Sequence, residues 1–179
     1  MTDRFIGKYR GTVYNNVDPD RRGRLLISIP DVLGLIPSTW AEPCVPLAGP
    51  TGPPMGIYAV PPIGAGVWVE FEQGDLNRPI WVGCRWGSNN DVPKAANEGL
   101  PASPNIVIQS LTQQSIIISD TPGPKGGITL KSATGASIIV NDTGIYIDNG
   151  KGASITLVAS SIKIKGNPVD INDGALNII

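Results

Sequence analysis

Short apolar pairs, each written apolar-x-apolar, recur along residues 101–179. Successive pairs begin 10, 12, 10, 7, 10, 7, 7 and 7 residues apart, and Ser, Thr, Asn, Asp, Lys and Gly stand between them. Alternation of this kind is typical of a strand with one apolar face. The pattern therefore predicts nine short strands, marked by Ile106/Ile108, Ile116/Ile118, Ile128/Leu130, Ile138/Val140, Ile145/Ile147, Ile155/Leu157, Ile162/Ile164, Val169/Ile171 and Leu176/Ile178.

One copy of this region cannot close a core around itself. A single-chain β-helix has three sides in each coil and needs a longer repeat than the spacing seen here. Residues 101–179 also contain no Phe, Trp or Met that could fill a wide interior. We therefore predict a thin prism in which three identical chains each supply one side, with backbone hydrogen bonds between chains and a dry axis of Ile, Val and Leu.

The residues predicted to form the core of this trimer are the apolar pairs from residue 138 onward. We predict the apex of the prism at Asn177, Ile178 and Ile179, where the last apolar pair ends. The predicted trimer core comprises Ile138, Val140, Ile145, Ile147, Ile155, Leu157, Ile162, Ile164, Val169, Ile171, Leu176 and Ile178.

The first half of the chain has a different pattern. Residues 7–13, 25–29 and 67–71 alternate or run apolar at strand length, and 12 of the 17 prolines fall in residues 1–100. Short strands closed by Gly- and Pro-rich loops are typical of a small Greek-key barrel. The predicted fold class is all-β: an N-terminal OB-fold barrel at 1–90, a linker at 91–105 and an intertwined trimeric β-helix, or needle, at 106–179.

Charge and hydropathy exclude several function classes. The net charge is −1, and no basic stripe is visible that would bind a phosphate backbone, so no nucleic-acid partner is expected. No apolar stretch approaches the ~20 residues that span a bilayer. The N-terminal residues 1–4 do not resemble a signal peptide. We expect synthesis in the cytoplasm without a signal peptide.

The acidic side chains favour structural roles over catalysis or metal binding. Asp18, Asp20 and Asp75 stand beside Pro or Gly, where Asp bends and caps turns. Glu70 and Glu72 share one face of a predicted strand and are interpreted as a solvated or subunit-facing pair. Because the chain has no His, a Ser-His nucleophile is excluded. No catalytic residue, metal ligand or cofactor is predicted.

The remaining candidate groups have a structural and a functional interpretation. Trp side chains stack on bases in some OB folds, but the lack of basic excess favours barrel core and subunit contact. Arg21, Arg22 and Arg24 are interpreted as a solvated turn. Cys44 and Cys84, without a C-x-x-C motif, are predicted to be two buried thiols, and a disulfide between them stays open as an alternative. The tryptophans are Trp40, Trp68, Trp81 and Trp86.

Two segments resemble a known family. Residues 17–30, VDPDRRGRLLISIP, are similar to the first strands of the gpV-like and VgrG-like OB domain found in central spike proteins of contractile phage tails and contractile injection systems. Residues 64–83 resemble that family's strand, Gly-Asp turn, Pro and following strand that ends in Gly. Trp40-Ala41, followed by Pro46, Gly49 and Gly56, falls where the family has its central strand and loop.

The resemblance implies a mechanical protein rather than an enzyme. In this family a trimeric needle follows the barrel, the trimer docks on a baseplate hub protein, and a PAAR-like protein caps the tip. The resemblance implies that the cap would sit on the apolar floor offered by Asn177, Ile178 and Ile179. The needle punctures the target cell envelope when the sheath contracts, within an assembled phage tail or injection-system particle. Because this chain lacks His, the apical His-x-His iron site of some phage spikes has no counterpart here.

Two alternatives of other classes remain at this level. The first is an OB-fold module that binds single-stranded nucleic acid and carries a β-rich tail. The second is a β-helical carbohydrate-active enzyme, which would need a cluster of acids along a groove. Residues 101–179 offer only scattered Asp at turns, so the spike is the favoured interpretation.

Overall fold

The chain forms two compact units, residues 1–91 and 92–179. The computed structural model describes residues 4–49, 52–171 and 176–178, and it describes the backbone alone for residues 171 and 176–178. The boundary between the units falls at the start of the segment predicted as a linker. The rest of that segment, residues 92–105, belongs to the second unit and contains a 3-10 helix, Lys94–Glu98.

The first unit is a small barrel. Its main sheet has the strand order β2-β1-β6-β7-β3, and a bridge between Leu25 and Ala41 joins the two ends. A short helix, α1 (Pro30–Leu33), follows β2, and 3-10 turns lie at Glu72–Gly74 and Asn89–Asp91. The strands are β1 (Tyr9–Asn15), β2 (Leu26–Ser28), β3 (Glu42–Pro43), β4 (Ala48–Gly49), β5 (Met55–Gly56), β6 (Gly66–Phe71) and β7 (Pro79–Arg85).

Alternation along the strands builds the core of this barrel. In β6, Val67, Val69 and Phe71 point inward while the residues between them are half-buried. Period-two burial is what a curled sheet with one filled face requires. Gly11 lies directly under Ile27, so any side chain there would collide with it. The buried apolar residues are Val13, Leu25, Ile27, Ile29, Ala41, Val67, Val69, Phe71 and Trp81.

The second unit is an antiparallel meander. Seven strands, β8 to β14, pair in the order of the sequence, and β15 and β16 pair with each other in a separate antiparallel sheet. A further 3-10 turn lies at Gly123–Lys125. The strands are β8 (Ile106–Gln109), β9 (Ser115–Ser119), β10 (Gly127–Lys131), β11 (Ser137–Asn141), β12 (Gly144–Asp148), β13 (Ser154–Val158), β14 (Ser161–Lys165), β15 (Val169–Ile171) and β16 (Leu176–Ile178).

Turn length explains the irregular spacing of the apolar pairs. On one side of the meander, here called the wide edge, residues 110–114, 132–136 and 149–153 form turns of five residues. On the other side, the narrow edge, a loop spans 120–126, and two-residue turns occupy 142–143 and 159–160. A five-residue turn gives a pair offset of 10, and a two-residue turn gives an offset of 7.

The predicted all-β class is confirmed, with an OB-like barrel and a C-terminal antiparallel sheet. One expectation about hydrogen bonding is wrong. Strands β9 to β13 each pair on both sides with strands of their own chain, so the backbone ladders along the sheet lie within one chain rather than between chains. The short turns bring consecutive strands together before any other copy can pair with them.

Candidate functional site, an apolar face on the C-terminal sheet

Two parallel ladders of apolar side chains cover one face of the sheet β8–β14. Residues directly opposite in neighbouring strands point to the same side, so the strand register places each ladder in a continuous row. The narrow-edge ladder is Ile106, Ile118, Ile128, Val140, Ile145, Leu157 and Ile162. The wide-edge ladder is Ile108, Ile116, Leu130, Ile138, Ile147, Ile155 and Ile164.

All fourteen side chains are exposed in a single chain. The exposed fraction runs from 36% at Leu157 to 70% at Ile162. Soluble monomers rarely carry so large a continuous apolar patch, and such a patch marks an interaction surface. This face is therefore the candidate functional site of the second unit.

The opposite face of the same sheet is mixed and becomes polar toward β14. Its central row contains Val107, Ile117 and Ile139, but Thr129, Thr156 and Lys163 stand in the same row. The hydroxyls of Tyr146 and Thr143 are hydrogen-bonded at 2.8 Å on this side. The two faces thus differ most in chemistry toward β14, and only the face that carries the ladders is apolar from β8 to β14, so it is the one that requires a cover.

The three turns of the wide edge share one construction. In each, the side-chain oxygen of the first residue accepts a hydrogen bond from the backbone N–H four residues later. Ser110 Oγ accepts from Gln114 N at 3.1 Å, Ser132 Oγ accepts from Ala136 N at 3.0 Å, and Asn149 Oδ1 accepts from Ala153 N at 3.1 Å. These bonds satisfy backbone groups that a turn would otherwise leave unpaired.

The wide turns also touch one another. The N–H of Ala133 donates to Oε1 of Gln114 at 3.2 Å, which joins the first turn to the second. A Cβ added to Gly150 would lie 2.8 Å from the carbonyl carbon of Gly135, so the second and third turns are in contact through two glycines with positive φ. Beside this row of turns, a predominantly apolar groove of about 970 Å³ runs along the wide-edge ladder.

The sequence-predicted core residues fall unevenly on this site. The eight from residue 138 to 164 lie in the two ladders, and Val169 is half-buried in β15. The side chains of Ile171, Leu176, Asn177 and Ile178, and the whole of Ile179, lie outside the described residues. The backbone register of β15 and β16 nevertheless pairs Val169 with Ile178 and Ile171 with Leu176.

The predicted core set omitted six residues that occupy the same face. They belong to β8, β9 and β10, and their exposed fractions lie between 42% and 68%. The signal that could have found them is the same apolar-x-apolar pair, which the sequence shows just as clearly in this region. The six are Ile106, Ile108, Ile116, Ile118, Ile128 and Leu130.

In the first unit, Asp18 organises the turn between β1 and β2. Its carboxylate accepts hydrogen bonds from the backbone N–H groups of Asp20, Arg22 and Arg24 at 2.8 to 3.2 Å. The Arg24 guanidinium donates to the same carboxylate at 2.7 Å and holds the pKa of Asp18 well below its ordinary value. The turn role predicted for Asp18 is confirmed.

Arg24 corrects the interpretation of the basic cluster. Its side chain is only 14% exposed, because it lies against Asp18 and over the ring of Trp40 at 5.7 Å. A solvated turn was therefore the wrong interpretation for Arg24, although Arg22 is exposed and pairs with Glu42 at 2.9 Å. The spacing of arginines along the sequence does not reveal which of them meets a buried carboxylate.

The acidic pair and the thiols are also placed by the structure. Glu70 pairs with Lys8 at 2.8 Å, whereas Glu72 begins a 3-10 turn and pairs with Arg78 at 2.7 Å, so the two carboxylates do not act as a unit. The prediction that both cysteines are buried is wrong. Both thiols are free and exposed: Cys44 follows the two-residue strand β3, and Cys84 lies in β7 opposite Val67.

The tryptophans divide between core and surface. Trp81 is buried, and its indole N–H donates to the Gly23 carbonyl at 3.0 Å. Trp68 lies under the Arg10 guanidinium at 5.9 Å, while Trp86 is 64% exposed. The core interpretation is therefore confirmed for Trp81 alone.

The described ranges, 4–49, 52–171 and 176–178, contain neither a cluster of metal-ligating side chains nor a membrane-spanning helix. No three His, Cys, Asp or Glu side chains there lie close enough to hold a metal ion. No helix in those ranges is long and apolar enough to cross a bilayer.

Two family models match the chain. The model of the type VI secretion system/phage-baseplate injector OB domain matches residues 9–86, which is the barrel. The model of the phage baseplate V C-terminal trimerisation domain matches residues 105–177, which includes the whole apolar face. No curated protein matches the chain significantly. The exposed ladders thus fall in the domain by which relatives trimerise, and the chain belongs to the phage baseplate V family of gpV-like and VgrG-like spike proteins.

Proposed function

We propose that this protein is the central spike of a contractile baseplate and that it punctures the target cell envelope when the sheath contracts. Three chains would bring their apolar faces together around one axis, and the joined sheets would form a needle. The observation that carries the proposal is the exposed face of fourteen aligned Ile, Leu and Val side chains in the C-terminal unit.

Burial of this apolar face against two further copies is more favourable in free energy than leaving it exposed to water. Burying a whole Ile or Leu side chain contributes about 1.5–3 kcal/mol, and each of these is already partly covered by its neighbours in the chain, so the gain on association is roughly 1 kcal/mol for each. Fourteen such gains in every chain offset the entropy that is lost on association. The same contacts would make a dry, stiff axis.

The strand geometry fits a needle that carries force along its length. Neighbouring strands lie about 4.8 Å apart, so seven stacked strands extend for roughly 30 Å. Every inner strand is hydrogen-bonded to its neighbours within its own chain. Compression along the stack would therefore be borne by three continuous ladders of backbone hydrogen bonds, which suits a penetrating role and requires no catalytic group.

We further propose two partners for the trimer. The barrels would dock on a trimeric baseplate hub protein, and the end formed by β15 and β16 would carry a PAAR-like tip protein. We expect no hydrolysis of peptidoglycan or polysaccharide and no binding of single-stranded nucleic acid by the purified protein.

Light scattering tests the trimer, and a particle assay tests the puncturing role. The molar mass should be three times 18.8 kDa. Particles that lack the spike should regain envelope penetration when this chain is supplied, and a chain cut after residue 91 should fail to restore it. A well-folded monomer in dilute buffer, or restored penetration by the truncated chain, would contradict the proposal.

A further inference from the structure

The two edges of the C-terminal sheet are not equivalent. The wide edge carries three five-residue turns that form a contiguous row, whereas the narrow edge ends in two-residue turns at 142–143 and 159–160. The groove of about 970 Å³ lies on one side only. Its described lining includes residues of the wide-edge ladder, the wide turns and the segment 166–170 after β14, but none from the narrow-edge ladder or the narrow-edge turns.

We infer that the groove of each chain receives the narrow edge of the next chain, so that the trimer closes head to tail. This inference rests on the proposed homotrimer and specifies how its three chains meet. The floor of the groove is apolar and includes Ile116, Leu130 and Ile138, which matches the apolar narrow-edge ladder that would enter it.

The shape of the groove favours the narrow edge of the next chain as its occupant over the groove of another chain. A row of turns stands beside the groove and presents polar groups such as Ser132 and Asn149. Two grooves placed face to face would set one polar row against the other and leave both narrow-edge ladders in water. A thin edge in each groove covers both ladders of every chain and leaves the polar turns at the corners.

The match to a trimerisation domain then sets the number of chains. A head-to-tail contact uses two different patches on each copy, and it either closes into a ring or continues as a filament. Residues 105–177 match a trimerisation domain, so a head-to-tail contact here would close at three chains. Each chain in such a ring both offers a narrow edge and receives one.

Strand β13 supplies a matched pair of positions for a test. Lys151 lies in the wide turn before β13, and Ser160 lies in the narrow turn after it; both are exposed. The five-residue strand between them spans about 17 Å, too far for a short cross-linker within one chain. Where two adjacent chains meet in a head-to-tail ring, Lys151 of one chain and Ser160 of the next lie at a similar level along the needle axis.

The experiment uses the full-length chain with Cys44→Ser and Cys84→Ser, into which Lys151→Cys and Ser160→Cys are introduced. Treatment with an ethylene-bridged bis-maleimide should give a covalent species of three chains on a denaturing gel. Each single-cysteine chain should give no cross-link. Co-expression of the two single-cysteine chains should give covalent pairs and no closed trimers, because a mixed ring contains only one reactive corner.

Covalent pairs from either single variant would overturn the inference, since they would mean that like edges meet. So would a protein of trimeric mass whose double variant gives no cross-link. Light scattering on the same samples separates the two proposals: a monomeric mass contradicts the trimer itself, whereas a trimeric mass without wide-to-narrow cross-links contradicts only the head-to-tail arrangement.

Discussion

The two units of this chain bury their apolar side chains in different ways. In the barrel, Leu25, Ile27, Val67 and Val69 are fully shielded from solvent by one chain. In the C-terminal sheet every ladder residue keeps at least 36% of its surface exposed. Both regions obey the same alternation of strand residues, so the difference lies in curvature. A sheet that curls can cover its own apolar face, and the meander needs other copies to do so.

This difference has a practical consequence for experiments. All four tryptophans belong to the barrel, and residues 101–179 contain none. Tryptophan fluorescence therefore reports the unfolding of the first unit, while light scattering reports the association of the second. The two signals separate what happens in each region of the same sample.

The largest expected effect follows from placing a charge in the middle of the apolar face. Ile147→Asp would bring three carboxylates to the trimer axis, where burial of a charge without a partner is very costly. We expect the mass by light scattering to fall from three chains to one. The fluorescence melting curve of the barrel should stay unchanged.

The matched control for that variant is Thr156→Asp, which adds the same charge to the opposite face of the same sheet. It should leave the trimeric mass intact. A trimer that survives Ile147→Asp, or one that Thr156→Asp disrupts equally, would mean that the ladders do not face the axis.

The sequence predicted the periodic part of this site and missed the part that depends on turns. The apolar-x-apolar pattern correctly identified strands β8 to β16, because a period of two residues follows from strand geometry alone. The prediction that strands are hydrogen-bonded between chains was wrong, because five-residue and two-residue turns pair each strand with the next strand of its own chain. The pairing of neighbouring strands could have been predicted from the offsets of 10 and 7 between apolar pairs only by assigning each offset to a turn of a particular length.

Side-chain contacts in the barrel were beyond sequence reasoning for a different reason. Arg22 and Arg24 are separated by one residue, yet one is exposed and the other meets the buried carboxylate of Asp18. Cys84 likewise lies beyond a bulge that shifts the register of β7 against β6. Neither the path of a turn nor the position of a bulge is fixed by residue type, so such side chains are placed only by the folded backbone.

The second largest effect should come from the core of the barrel. Ile27→Ala would leave a cavity at a fully buried site, and losses of this kind cost about 2–5 kcal/mol. The fluorescence melting temperature should fall by roughly 10 °C or more. The mass should remain trimeric, because the apolar face is unchanged. Thr12→Ala, on the exposed side of β1, serves as the control and should have little effect.

A smaller, pH-dependent effect is expected at Asp18. Its pKa is lowered in the folded barrel by the Arg24 guanidinium, so its ionised form stabilises the fold above the ordinary Asp value of about 3.9. That stability is lost as pH falls from there toward the lowered pKa. Asp18→Asn should reduce the barrel's melting temperature at about pH 6, and by less at about pH 3. An equal loss at both values would show that the carboxylate charge is unimportant.

The smallest effect should come from the polar surface of the barrel, which sharpens the contrast with the exposed face of the needle. Lys8 and Glu70 form an ion pair at 2.8 Å, but both side chains are about half exposed. Such pairs contribute about 0.2–1 kcal/mol, and salt screens them further. Lys8→Ala should therefore shift the fluorescence melting curve only slightly, and high salt should remove the shift. A loss as large as that of Ile27→Ala would contradict this. Exposed ions are satisfied by water, whereas exposed Ile and Leu are satisfied only by another chain.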